Sequence, residues 1–243
     1  MNSEINNVIT EFTAQLKEVY SDDLLAVILY GSAAGTNYQS GVSDINVLVI
    51  LENSNAAKMF SLGKALKSIL QKNRISPFIM TREEFTTSAD VFPLEYCDIL
   101  ENNSVVYGNS DILKIKVNMA NLRFELEEKL RGAVGDLRSM LIASSGSEKT
   151  LKDLILSWSG IGNIIFRGLL RLKNINCSGM DSKAILAEVE KTYDVKLEAF
   201  LLLNDLRQSK KNLTVEALAF VDTLLEPLKA LVRTVDAMDG GAK

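Results

Sequence analysis

The sequence predicts a chain of two unlike halves: an α/β or α+β half, then an all-helical half. Three observations carry this. Apolar residues recur at helical spacing near the N-terminus, short β-rich runs alternate with such spacing up to about residue 110, and no strand-like run follows Ser110. The expected domains are 1–110 and 111–238, with 239–243 (the tail around Gly240-Gly241) disordered.

Each element has its own signal. Ile5, Val8, Ile9, Phe12, Leu16 and Val19 follow an Asn2 or Ser3 cap, so 3–20 reads as an amphipathic helix. LLAVILY (24–30), ended by Gly31-Ser32, is a short buried strand, and NVLVIL (46–51) is a second. Met59, Leu62, Leu66, Ile69 and Leu70 return to helical spacing between Asn55 and Gln71. ISPFIM (75–80) is strand-like, and Glu83 and Glu84 after Thr81 read as first-turn acids of a short helix. PLEYCDIL (93–100) and NSVVYG (103–108) read as a hairpin turned at Glu101-Asn102.

Helices are expected at 111–143, 148–173, 181–192, 196–208 and 213–237, separated by Ser/Gly/Asn-rich turns. Together they form a helical bundle. Pro227 should kink or break the last helix. Trp158 reads as a core residue. Gly160-Ile161-Gly162, lying within a helical pattern, reads as close packing or a kink rather than a dinucleotide fingerprint.

Composition removes several function classes. The chain has 243 residues, 47% hydrophobic and 24% charged, as ordinary globular proteins do. Its net charge of −4 argues against a nucleic-acid partner. There are no histidines, which excludes imidazole acid–base catalysis, and only two cysteines, Cys97 and Cys177, read as reduced thiols. The N-terminus lacks the pattern of a secretory signal, and the longest apolar run, 24–30, is far short of the ~20 residues that span a bilayer. No membrane partner and a cytoplasmic location are expected.

The informative stretch is Leu29-Tyr30-Gly31-Ser32-Ala33-Ala34-Gly35, followed by Ser43-Asp44-Ile45-Asn46-Val47-Leu48-Val49-Ile50. A buried strand ends in Gly-Ser, with small residues where a helix would begin. Backbone N–H groups plus a hydroxyl there suit a phosphate. The next strand opens with polar residues at 44 and 46, which project to one face because they are two apart. An acid pair at that spacing is a sound way to hold Mg²⁺ beside a triphosphate.

This stretch resembles the DNA-polymerase-β-like nucleotidyltransferase superfamily, and within it the small bacterial and aminoglycoside-modifying types. The family motif is Gly-Ser, a later Gly, then Ser-Asp-x-Asp on a strand; it stands here as Gly31-Ser32, Gly35 and Ser43-Asp44-Ile45-Asn46. The resemblance implies an α+β fold: a nucleotidyltransferase-like mixed sheet with helices, followed by an all-α helical bundle. It implies a nucleoside triphosphate, ATP or another, bound at Gly31, Ser32 and Ser43, with Asp44 catalytic and Asp44 and Asn46 at the Mg²⁺ positions.

In the family, three carboxylates hold two ions while an acceptor hydroxyl attacks the α-phosphorus. Here only Asp44 is an acid; Asn46 and Ser76 stand at the other two positions. The expected protein therefore binds a nucleotide with transferase activity weakened or lost, a pseudoenzyme. The alternative is an active Mg²⁺-dependent nucleotidyltransferase acting on a hydroxyl of a small molecule or protein, with Glu95 or Asp98 as substitute ligand. In a strand those two have opposite parity, so only one could face the site. Arg123, Glu127, Arg131 and Arg138 read as ion pairs on a solvated helix face, or else Arg123 or Arg131 meets phosphates. The acceptor stays unidentified, and a homodimer stays open.

Overall fold

The computed structural model describes residues 3–35, 38, 44–158, 160–209 and 211–238. They form two compact units, Met1–Asn118 and Met119–Lys243. The expected tail at 239–243 lies outside the described residues.

The first unit is α+β. Its elements are α1 (Ser3–Tyr20), β1 (Leu24–Tyr30), β2 (Ile45–Leu51), α2 (Ala56–Asn73), β3 (Ile75–Thr81), α3 (Arg82–Thr87), α4 (Pro93–Glu101) and β4 (Asn103–Gly108). The sheet order is β3-β2-β1-β4. β1 pairs antiparallel with β2 and β4, while β2 pairs parallel with β3, so the sheet is mixed. Alternate residues of the central strands feed two cores, as the period of two demands. Val27, Leu29, Val47 and Val49 pack with Phe12 and Leu16 of α1 and Leu62 and Leu66 of α2. Ile28, Leu48 and Ile50 pack on the opposite face with Phe85 of α3 and Tyr96 and Ile99 of α4.

Local chemistry fixes the helix starts. The Asn55 side chain accepts from the N–H groups of Ala57 and Lys58. Thr81 and Glu84 form a reciprocal capping box at α3, so the Glu83-Glu84 expectation holds.

Several expectations are corrected. The first is PLEYCDIL, which forms the helix α4 and not a strand, with Pro93 in its first turn. No hairpin turns at Glu101-Asn102. β4 follows α4 directly and pairs with β1, Tyr30 opposite Asn103. Second, the helix expected from 111 starts at Met119; before it, Ile112, Leu113, Ile115 and Val117 pack on the α3–α4 core.

The second unit contains α5 (Met119–Ala143), α6 (Glu148–Ser157), α7 (Asn163–Leu172), α8 (Ser182–Tyr193), α9 (Glu198–Ser209) and α10 (Ala217–Asp236). The third correction falls here: the expected helix 148–173 is two helices, broken around Trp158–Gly162. A Cβ at Gly160 would collide with the Trp158 indole, so glycine there serves the break and not a helix interior. Trp158 is buried, and its indole N–H donates to Asp136 (3.3 Å). α10 begins later than 213 and runs through Pro227 without interruption. Cys97 and Cys177 are both buried, and neither is in a disulfide. Among the described residues, no helix is long and apolar enough to cross a membrane.

Arg123 departs from the solvated face expected of it: it is buried. Its Nη1 donates to Glu127 Oε2 (2.8 Å) and to the Val235 carbonyl of α10 (3.0 Å). Arg131 Nε donates to the other Glu127 oxygen (2.7 Å). Arg131's hydrogen bond, with Arg123's adding to it and burial opposing, holds the Glu127 carboxyl below its ordinary range. A carboxyl lowered by folding adds stability above its unfolded pKa and loses it as pH falls through the folded value. The unfolding temperature of the helical unit should therefore fall from about pH 5 downward. Glu127→Gln should give a lower but flatter pH profile; an equally steep profile would count against the assignment.

Candidate nucleotide site

The site positions collect at one end of the sheet, where β1 leaves it and β2 enters. Gly31 takes a left-handed backbone (φ 70°), which glycine adopts without a steric cost. Its N–H donates to the Asn102 carbonyl at the end of α4 (3.0 Å). A Cβ on Gly31 would stand 3.3 Å from the Asn46 amide nitrogen, so backbone and side chain meet closely there. Gly31–Ala34 form a single 3-10 turn closed by Gly35 N–H to the Ser32 carbonyl (3.2 Å). The helix start expected after Gly-Ser is thus only this turn, and any anion there would meet local N–H groups and the Ser32 hydroxyl rather than a long helix dipole. Ser43 lies outside the described residues.

Asn46 is opposite Tyr30 on β1 and in register with Ser76 on β3. Both share the parity of Leu48 and of Phe78 and Met80, so they sit at the end of the α3–α4 face. The pairing brings together the two positions where the resemblance expects carboxylates, and both side chains are neutral.

Asp44 immediately precedes β2 and is exposed. Its carboxylate accepts from Arg74 Nε (2.8 Å), with about half of each side chain exposed. Arg74 ends α2 in a left-handed conformation, and its carbonyl accepts from Ile45 N–H (3.0 Å). That backbone bond seats the guanidinium beside Asp44. Sequence reasoning missed Arg74. No local signal encodes it: Arg74 meets Asp44 through the parallel pairing that sets Ile45 opposite Ile75, and so 44 opposite 74.

α4 changes the reading of Glu95 and Asp98. Three apart on a helix, they share a face, where opposite parity was expected. Both act on Tyr30: burial first, and then the negative charges of Glu95 and Asp98, together push its hydroxyl up to about 12. Two acids therefore stand beside the last residue of β1, next to the Gly31 turn.

The paired-ion centre implied by the resemblance does not fit these residues. Asp44 is the one acid among the three motif positions, and it already faces a guanidinium. Among the described residues, no three His, Cys, Asp or Glu side chains gather where they could hold a metal ion.

No protein-family model matches the chain. It is 29% identical over 117 residues to a provisionally named protein adenylyltransferase of Methanocaldococcus jannaschii, a match covering 45% of this chain and 76% of that protein. Its structure resembles the spectinomycin adenyltransferase AAD(9) of Enterococcus faecalis, solved with ATP and spectinomycin. That likeness has a TM-score of 0.55 at 12% identity and covers 92% of this chain and 98% of the other. Motif and architecture agree, and the chain has the fold of the nucleotidyltransferase superfamily.

Proposed function

We propose that this protein binds a nucleoside triphosphate, ATP first among them, at the Gly31–Ser32 turn, and that its nucleotidyl transfer is weakened or lost. The observation that carries this reading is the in-register pair Asn46–Ser76. Where two carboxylates would draw divalent ions, an amide and a hydroxyl stand. Neutral oxygens compensate poorly for stripping water from Mg²⁺.

Within this reading Gly31, Ser32 and Ser43 hold phosphate oxygens. Arg74 supplies positive charge beside Asp44 and reduces the need for a metal there. Nucleotide binding should then depend only weakly on Mg²⁺. Losing one hydrogen bond to a charged phosphate costs about 1.5–3 kcal/mol. Ser32→Ala should accordingly weaken ATP binding about ten-fold or more by calorimetry. Tight binding unchanged by Ser32→Ala would remove the turn from the site.

A second reading rests on α4. Glu95 and Asp98 share a face beside Tyr30, so both acids stand at one end of the sheet. In this reading they make up for Asn46 and Ser76, and the protein transfers a nucleotidyl group to a hydroxyl of a small molecule or protein. Pyrophosphate release from ATP, with and without Mg²⁺ and across an acceptor panel, separates the two. Mg²⁺-dependent release abolished by Asp44→Ala and by Glu95→Gln or Asp98→Asn supports the second reading; its absence, with ATP still bound, supports the first.

A further inference from the structure

The helical unit carries a groove of about 830 Å³ along α9 and α10. Ligand sites for small molecules commonly measure about 300–1,000 Å³. Its floor is apolar, built from Val195, Leu202, Phe220, Pro227 and Ala230, and Leu202 remains 40% exposed. The rim is acidic: Asp194, Glu198, Asp222 and Glu226 line it, against the ammonium of Lys196.

The sequence of α10 builds one wall. Phe220, Thr223, Pro227 and Ala230 are spaced by three and four residues and share a face, with Asp222 and Glu226 in the row beside them. Pro227 has no N–H, so the Thr223 carbonyl four residues earlier lacks the donor an ordinary helix supplies. Thr223 and Pro227 both line the groove. The Thr223 hydroxyl donates to the Phe220 carbonyl (2.7 Å). The groove thus gathers acceptors over an apolar floor. A neutral apolar ligand would bury carboxylates without compensation, whereas a cationic donor would satisfy them.

We propose that this groove binds a small organic cation, a protonated amine carried on an aromatic body. The aromatic part lies on Leu202 and Phe220. The ammonium sits between Glu198 of α9 and Asp222 of α10 and donates to the freed Thr223 carbonyl. Glu226 already accepts from Lys229 (2.5 Å) and reinforces the negative rim. The assignment is independent of nucleotide binding at the sheet end.

The test compares 2-naphthylmethylamine with 2-naphthylmethanol on the full chain at low salt, by calorimetry and by amide NMR. The amine is expected to bind about ten-fold tighter than the alcohol, as a charge-assisted bond should be stronger than a neutral one. Shifts should centre on Ala199, Leu202 and Ala230. Glu198→Gln with Asp222→Asn should abolish the preference for the amine. Pro227→Ala returns an N–H to Thr223. It should weaken amine binding several-fold while the melting temperature holds or rises, a combination that loss of structure would not produce. Equal binding of amine and alcohol, shifts elsewhere than the groove, or a Pro227→Ala protein that binds amine as tightly as wild type would each overturn the proposal.

Discussion

Asn46→Asp combined with Ser76→Glu is expected to convert ATP binding from weakly to strongly Mg²⁺-dependent. Asn46 and Ser76 are opposite one another in the parallel β2–β3 ladder. The two substitutions therefore place carboxylates side by side, with Asp44 two residues from the first. Each should tighten Mg-ATP binding by at least about ten-fold, or 1.4 kcal/mol. The pair should exceed the sum of the single changes, because both acids serve the same ion.

Without metal the gathered acids repel, so the melting temperature of the ligand-free double variant should fall below wild type. Mg-ATP should restore it, because a ligand that binds the folded state stabilises that state. Calorimetry in Mg²⁺ and in EDTA, together with thermal unfolding, reads both effects. A double variant that binds ATP no better with Mg²⁺ than in EDTA would sink the idea that these two positions are what the site lacks.

Arg123→Ala should be among the most damaging single changes in the helical unit. The guanidinium is buried, pairs with Glu127 and donates to the Val235 carbonyl near the end of α10. It also lies over the Phe124 ring, 4.3 Å from the centroid. Removing one partner of a buried ion pair costs about 3–5 kcal/mol, because the groups left behind stay desolvated. We take the lower figure, since Arg131 still holds Glu127. A loss of about 3 kcal/mol should lower the unfolding temperature of this unit by roughly 10 °C or more. Arg123→Met retains most of the packing and separates that share from the charge. Unfolding of Arg123→Ala within about 2 °C of wild type would show that the network contributes little.

Most of the first unit was legible because its signals are local. The continuous apolar runs in LLAVILY and NVLVIL and the acids Glu83 and Glu84 after Thr81 each specify an element within a few residues. PLEYCDIL was not legible by periodicity, since an eight-residue run with five hydrophobic side chains suits either period. Pro93, placed where a helix accepts proline, was the better guide. β4 was recognised as a strand but given the wrong partner. Its pairing with β1 spans more than seventy residues of sequence, and nothing in NSVVYG encodes which strand it joins.

The Gly-Ser and Asp-x-Asn positions were legible from residue type and spacing, and the structure brings Gly31 and Asn46 into close approach. Arg74 was not. It reaches Asp44 only because β2 and β3 run parallel with a fixed offset, a fact of tertiary pairing. The α4 acids changed meaning for the same reason. Their parity in a strand and their shared face on a helix lead to opposite conclusions about the site.

β3 has one further consequence, for behaviour in a crowded solution. It is an end strand of the sheet, and Ser76 and Pro77 are exposed on it. An end strand offers unpaired N–H and C=O groups on which a strand from another molecule can add, the first step of edge-to-edge aggregation. Proline is tolerated in such a strand where its missing N–H would have pointed off the sheet. Pro77 thus deletes a donor from the edge that an incoming strand would use. The strand that supplies Ser76 to the candidate site is therefore also the one that resists self-association, so changes made there to restore metal binding should leave Pro77 in place.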